Sequence, residues 1–214
     1  MTPRFLVVVL IIAATASGCT PKLAPLANAT PVPRAEPLPV IQLPRHNQRI
    51  VFNWRLQESE LEVHGEGAAR IAAPDSARVD LFVAGGLGSG VAWVIGDQMR
   101  LDAPDALKRV LPPPAFLWAA LGRFAIPAGK DTVVARADST ITAEIGPSPR
   151  WRLSLRGDRI SRLERADGEK VIDRLERKAD GSLVYFHAPT RRQLTLTITR
   201  VDSVAPFDAT IWNP

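Results

Sequence analysis

The sequence predicts a mainly β domain, a single large antiparallel meander broken by one short helix. Apolar and polar residues alternate with period two from Arg49 almost to the C-terminus. Turn dipeptides of the Asx-Gly or Gly-Asx kind recur at short, even intervals between the alternating runs. Only one later segment, Leu107 to Gly122, has apolar residues spaced for a helix face.

Before the domain comes a leader. Arg4 gives a short positive region, Phe5 to Ala14 an apolar one, and Ala16-Ser17-Gly18 run into Cys19, the only cysteine in 214 residues. Ten apolar residues are too few to span a bilayer, so residues 1–18 have the layout of a secretory signal peptide. A cysteine directly after small residues resembles the lipobox of bacterial lipoproteins, with Ala16 where such motifs usually carry Leu. The resemblance implies cleavage before Cys19 and lipidation of its thiol, which makes a membrane the first expected partner. In such lipoproteins an Asp after the cysteine is associated with inner-membrane retention. Thr20 stands there, which favours the outer membrane, with the domain facing the periplasm.

Residues 19–48 are dense in Pro and Ala and show no periodicity. Proline removes backbone donors and fixes φ, so this stretch is expected to be a disordered, extended tether. The domain proper is then residues 49–214, about 165 residues, enough for one core.

The strands follow in order. Ile50, Phe52, Trp54 and Leu56 share one face of a first strand over 49–57. Leu61 and Val63 point inward on the next, with Glu60, Glu62, His64 and Glu66 outward. Further strands are expected at 68–72, 77–83, 90–95, 98–102, 132–137, 140–145, 151–156, 159–165, 170–177, 183–187 and 193–201. In the last, Leu194, Leu196 and Ile198 alternate with Gln193, Thr195, Thr197 and Thr199. Turns fall at Pro74-Asp75, Gly96-Asp97, Gly157-Asp158, Asp167-Gly168 and Asp180-Gly181. In the helical segment Phe116, Leu117, Ala120, Leu121 and Phe124 share a face, Pro114 suits the first turn and Gly122 the C-cap.

Composition and spacing argue against several function classes. The 27 Lys+Arg against 22 Asp+Glu give +5, or about +4 without the leader's Arg4. Acids are interspersed among the bases, which argues against a nucleic-acid partner. One cysteine allows neither a disulfide framework nor a thiolate metal site. His46, His64 and His187 have no His-x-x-x-His companion, so no metal or other cofactor is expected. Ser89 lies in Gly88-Ser89-Gly90 without the wider nucleophile-elbow context, and Glu60/Glu62 and Glu164/Glu169 suit solvent faces. An enzyme is therefore not expected. Arg150, Arg152, Arg156, Arg159, Arg162 and Arg165 gather around one hairpin, as a solubilising face or a site for anionic headgroups.

Three stretches carry a further resemblance. Glu66 to Phe82 is a Gly-containing strand, a Pro turn and a second strand, Arg78-Val-Asp-Leu-Phe82. Gly85 to Leu101 is a Leu-Gly hairpin loop, a strand and a Gly-Asp turn. Leu111-Pro-Pro-Pro-Ala-Phe-Leu-Trp-Ala-Ala-Leu-Gly122 is a Pro-led helix. Together they are similar to the LolA/LolB lipoprotein-carrier superfamily over about Ile50 to Phe124. The chain departs from it in having no evident helix before the first strand. The resemblance implies an incompletely closed antiparallel β-barrel with a short helical lid over an apolar cavity for acyl chains. It also implies lipoprotein cargo and a periplasmic carrier protein as partners. Expected cavity residues are Phe52, Trp54, Leu61, Val63, Val79, Leu81, Val91, Trp93 and Ile95 from strands, and Phe116, Leu117, Trp118 and Leu121 from the helix; each also reads as ordinary packed core. Leu87, in a glycine-rich loop with no Gly-Lys-Ser/Thr ending, corresponds to an exposed leucine that engages the membrane in LolB-like carriers. Its alternative is a scattered surface leucine. A structural or assembly-factor lipoprotein with a filled barrel, binding protein partners, is the competing expectation.

Overall fold

The computed structural model describes residues 21–31 and 38–213; the leader and Cys19 lie outside them. The strands are β1 (Thr30–Pro31), β2 (Asn47–Glu58), β3 (Leu61–Ala72), β4 (Ser76–Val83), β5 (Ser89–Ile95) and β6 (Gln98–Asp102). Two short helices, α1 (Asp105–Lys108) and α2 (Pro114–Ala120), come next. Then follow β7 (Val133–Ala137), β8 (Thr140–Ile145), β9 (Arg150–Arg156), β10 (Arg159–Asp167), β11 (Lys170–Arg177), β12 (Leu183–His187) and β13 (Arg192–Val204). A 3-10 turn at Ala209–Trp212 ends the fold.

Among the described residues, these 13 strands form one antiparallel sheet in the order β1-β7-β8-β9-β10-β11-β12-β13-β2-β3-β4-β5-β6. Sequential hairpins build two runs, β2 to β6 and β7 to β13, and the long β2–β13 pairing joins them. No pairing joins β6 to the opposite edge among the described residues, so the barrel is incompletely closed, as expected. The chain between β6 and β7 passes from one end of this order towards the other. That passage holds both helices and brings α2 against β10 and β11.

Alternation in β2 places Ile50, Phe52, Trp54 and Leu56 in the core and leaves Asn53, Arg55 and Gln57 outside. Phe52 pairs with Gly67 and Trp54 with Gly65 across the β2–β3 ladder. A Cβ on Gly67 would come within 2.4 Å of the Phe52 ring, and one on Gly65 within 1.9 Å of the Phe82 carbonyl oxygen. These glycines let large rings lie flat on the neighbouring strand. The two expected strands at 60–67 and 68–72 are one continuous β3, because glycine interrupts the apolar pattern without breaking the ladder.

The helix α2 is apolar on every side, and Phe116 to Ala120 are all buried. Pro114 starts it, and Gly122 at φ 92° ends it in a Schellman arrangement. Arg123 N donates to Trp118 O at 2.8 Å and Gly122 N to Ala119 O at 3.3 Å. Trp118 Nε1 also donates to Gly96 O at 2.6 Å, and Phe116 packs 5.4 Å from the rings of both Trp151 and Tyr185.

The described parts of the Pro-rich segment lie on the domain rather than free of it, contrary to the expected disordered tether. Leu23 packs with Ala166 and Val171, and Leu23 N donates to Glu169 O at 2.8 Å. Thr30–Pro31 pairs with β7, and Ile41 and Leu43 enter the main core. The reason is composition: apolar residues spaced between the prolines can be buried while the proline backbone stays extended.

Candidate functional site

The two sheet runs and α2 enclose an apolar cavity. Its sheet side is Ile50, Phe52, Ala69, Val79, Leu81, Leu183, Leu194, Leu196 and Ile198; its cover is Val110, Leu111, Pro112, Leu117, Ala120 and Leu121. Every lining residue is apolar, and the free volume is about 30 Å³. A water molecule's share of the liquid is about 30 Å³, whereas ligand pockets run to about 300–1,000 Å³. In this conformation the helix is packed onto the sheet.

Phe52, Val79, Leu81, Leu117 and Leu121 line the cavity. Trp54, Phe116 and Trp118 belong to the same core, and Val63 packs at its border. Four expected positions need correction. Val91, Trp93 and Ile95 sit on the other side of β5; the inward residues are Gly90, Ala92 and Val94. Alternation in Ser89-Gly-Val-Ala-Trp-Val-Ile95 is apolar on both faces, so period two alone does not choose between them. The ladder does, because Val79 and Leu81 lie opposite Ala92 and Gly90. The outward face of β5 is itself covered: Trp93 Nε1 donates to Ile211 O at 2.9 Å and Arg78 stacks on the indole. Leu61 is 44 % exposed, since it lies at the end of β3 beyond the helix cover.

Sequence reasoning did not assign Ile50, Leu194, Leu196 and Ile198 to the cavity. Their alternation is visible in the sequence, but the place of Leu194, Leu196 and Ile198 opposite Leu56, Trp54 and Phe52 depends on the β2–β13 pairing, which joins residues far apart in the chain.

Leu87 lies at the tip of the β4–β5 hairpin and is 83 % exposed. Gly85, Gly86 and Gly88 all have positive φ, and Val83 N donates to Gly88 O at 2.9 Å to close the loop. Phe82 beside it is also exposed, so the tip presents two large apolar side chains.

A polar cluster on the later strands was not visible in the sequence. The carboxylate of Asp173 is fully buried and accepts from Tyr185 Oη at 2.6 Å and Arg165 Nε at 2.7 Å. It also meets His187 Nδ1 at 2.8 Å. Burial, and then Asp173 itself, raise the Tyr185 phenol well above its ordinary value. The residues face one another only because β10, β11 and β12 are neighbours. His187 is thus not solitary, and the cluster clamps three strands together. Three of the arginines near the β9–β10 hairpin are cross-strand partners: Arg152 of Glu144, Arg162 of Glu176 and Arg165 of Asp173. Among the described residues no group of three His, Cys, Asp or Glu side chains is placed to hold a metal, and no helix is long and apolar enough to cross a membrane.

No protein-family model matches the sequence, nor does any curated protein sequence. Solved structures do match its fold. A domain of an outer membrane lipoprotein-sorting protein from Vibrio parahaemolyticus superposes with a TM-score of 0.53 at 9 % identity, covering 79 % of this chain and 90 % of that one. A LolA superfamily protein from Nitrosomonas europaea gives 0.52 at 10 % identity, covering 81 % and 93 %. A DUF1329 family protein from Desulfovibrio piger gives 0.51 at 9 % identity, covering 79 % and 90 %. The fold is the LolA-like open barrel, in accord with the resemblance in the sequence.

Proposed function

We propose that this chain is a membrane-anchored lipoprotein whose half-barrel binds acyl chains, and that it accepts lipoproteins and inserts them at the outer membrane. The observation that carries the reading is the cavity lined wholly by apolar side chains, between a concave sheet and an apolar helix. Hydrocarbon needs that kind of lining, and the contacts of Leu117, Ala120 and Leu121 with the sheet are of the same chemistry as contacts with an acyl chain. Binding then exchanges one apolar partner of the sheet for another, with α2 swinging away as the chain enters.

The lipobox-like motif supports anchoring through Cys19, and the exposed Leu87 and Phe82 support contact of the hairpin tip with lipid or cargo. An anchored acceptor would receive its cargo from a periplasmic carrier protein. The function is one of binding, not of catalysis. Detergent-solubilised protein incubated with a bacterial triacylated lipopeptide tests the reading. A stoichiometric complex is expected; its absence, with the fold intact, overturns acyl binding.

The small free volume favours a second reading: a barrel filled by its own helix, serving as a structural or assembly-factor lipoprotein that binds protein partners. It predicts that α2 stays in place whatever lipid is offered.

A further inference from the structure

Beside the closed cavity lies an open vestibule of about 430 Å³, within the size range of small-molecule sites. Ile50, Ala120, Leu121 and Ile198 line both spaces, so only one layer of apolar side chains separates the vestibule from the cavity. Its rim holds two arginines. Arg177 follows Asp173 and Leu175 on the inward side of β11, while Arg159 opens the adjacent β10.

These two differ from the paired arginines of the same strands. Neither makes an ion pair among the described residues, although Arg152, Arg162 and Arg165 all do. The Nε of Arg177 is buried without a hydrogen-bond partner, and its Nη1 reaches only the Gly181 carbonyl at 3.5 Å. Burial first, and then the neighbouring Arg159 charge, lower the Arg177 guanidinium from its ordinary value. The vestibule's one acid, Asp158, is an exposed turn residue that pairs with neither. A guanidinium with a buried, unsatisfied donor is costly, and a like-charged neighbour adds to the cost. An anion between the two offsets the like-charge repulsion and offers the accessible N–H groups of both guanidiniums charge-assisted hydrogen bonds.

We propose that Arg159 and Arg177 form the headgroup subsite for an anionic amphiphile, binding its carboxylate or phosphate at the rim while its acyl chain runs past Leu121 and Ile198 into the cavity. The proposal rests on the acyl-binding reading above and adds selectivity for charge. It also distinguishes two positions in a single ligand: an ionic one outside the lid and a hydrocarbon one beneath it.

Titrations of the protein with palmitate, palmitoyl lysophosphatidic acid and the uncharged monopalmitoylglycerol test it, alongside inorganic phosphate alone. Both anionic amphiphiles are expected to bind about tenfold or more tightly than the neutral one. Arg159→Gln/Arg177→Gln should remove that preference and leave the affinity for monopalmitoylglycerol unchanged, and Arg177→Lys should retain part of it. Equal binding of neutral and anionic amphiphiles by the native chain overturns the subsite while acyl binding stands. Failure to bind any of the three overturns acyl binding and the subsite with it. Inorganic phosphate binding as tightly as the lysophosphatidic acid overturns the amphiphile and leaves a simple anion site.

Discussion

Gly65 and Gly67 show how a missing side chain can set the shape of a barrel wall. Each lies opposite a ring on β2, and each would collide if given a Cβ. Gly65→Ala is the more severe change, because its nearest neighbour is the Phe82 backbone rather than the end of a side chain. Overpacking of this kind costs about 1–3 kcal/mol, so the midpoint of urea unfolding should fall while the slope stays constant. Glu164 makes a prediction of opposite sign. It is buried on β10, and burial raises its carboxyl above the ordinary value despite Arg162, Arg152 and Arg174 nearby. The folded state therefore holds this proton more tightly than the unfolded state does. Its contribution is favourable at acid pH and is lost as pH rises through the raised value. Glu164→Gln should raise the melting temperature at pH 7 and make stability less dependent on pH above the ordinary glutamate range. An unaltered melting curve at pH 7 would show that the carboxylate is better solvated than its burial implies.

At the scale of elements, the lid decides between carrier and filled barrel. The helix α2 is seven residues long, too short to be stable without its packing, so its order depends on the sheet beneath it. Hydrogen exchange with and without a bound fatty acid should show faster exchange at Phe116, Leu117 and Leu121 when ligand is present. Amides of β2, β3 and β13 should be unchanged. Much at this scale was legible in the sequence. The strands from β2 onward fell close to their observed bounds because alternation and turn dipeptides are local signals, and Pro114 and Gly122 marked the helix. The faces of β5 were not legible, since Val91, Trp93 and Ile95 are as apolar as Ala92 and Val94. Nor was the floor contributed by β13, or the Asp173 clamp, because both depend on strands meeting across the sheet. Leu87 was legible as an exposed residue because three glycines with positive φ surround it.

The whole molecule combines an anchor motif, a Pro-rich connection and an open barrel with one apolar interior. The described parts of that connection pack on the domain, and on the proposed reading, with Cys19 lipidated, this holds the barrel nearer the membrane than a free chain of the same length would. An acceptor bound to one membrane needs that proximity, and a diffusing shuttle does not. Cys19→Ser should release the protein from the membrane fraction into the soluble fraction, read by immunoblot, without altering its fold. Leu87→Glu should reduce delivery of a cargo lipoprotein to liposomes several-fold and leave lipopeptide binding intact, since the leucine lies outside the cavity.

Acyl binding is the claim on which the rest depends. Native mass spectrometry of the protein purified from membranes, released gently from detergent, measures it most directly. A population heavier by one non-covalent acyl lipid or lipopeptide, lost on mild activation, is expected. A folded protein that carries only its covalent anchor, and takes up no lipopeptide when offered one, would contradict it.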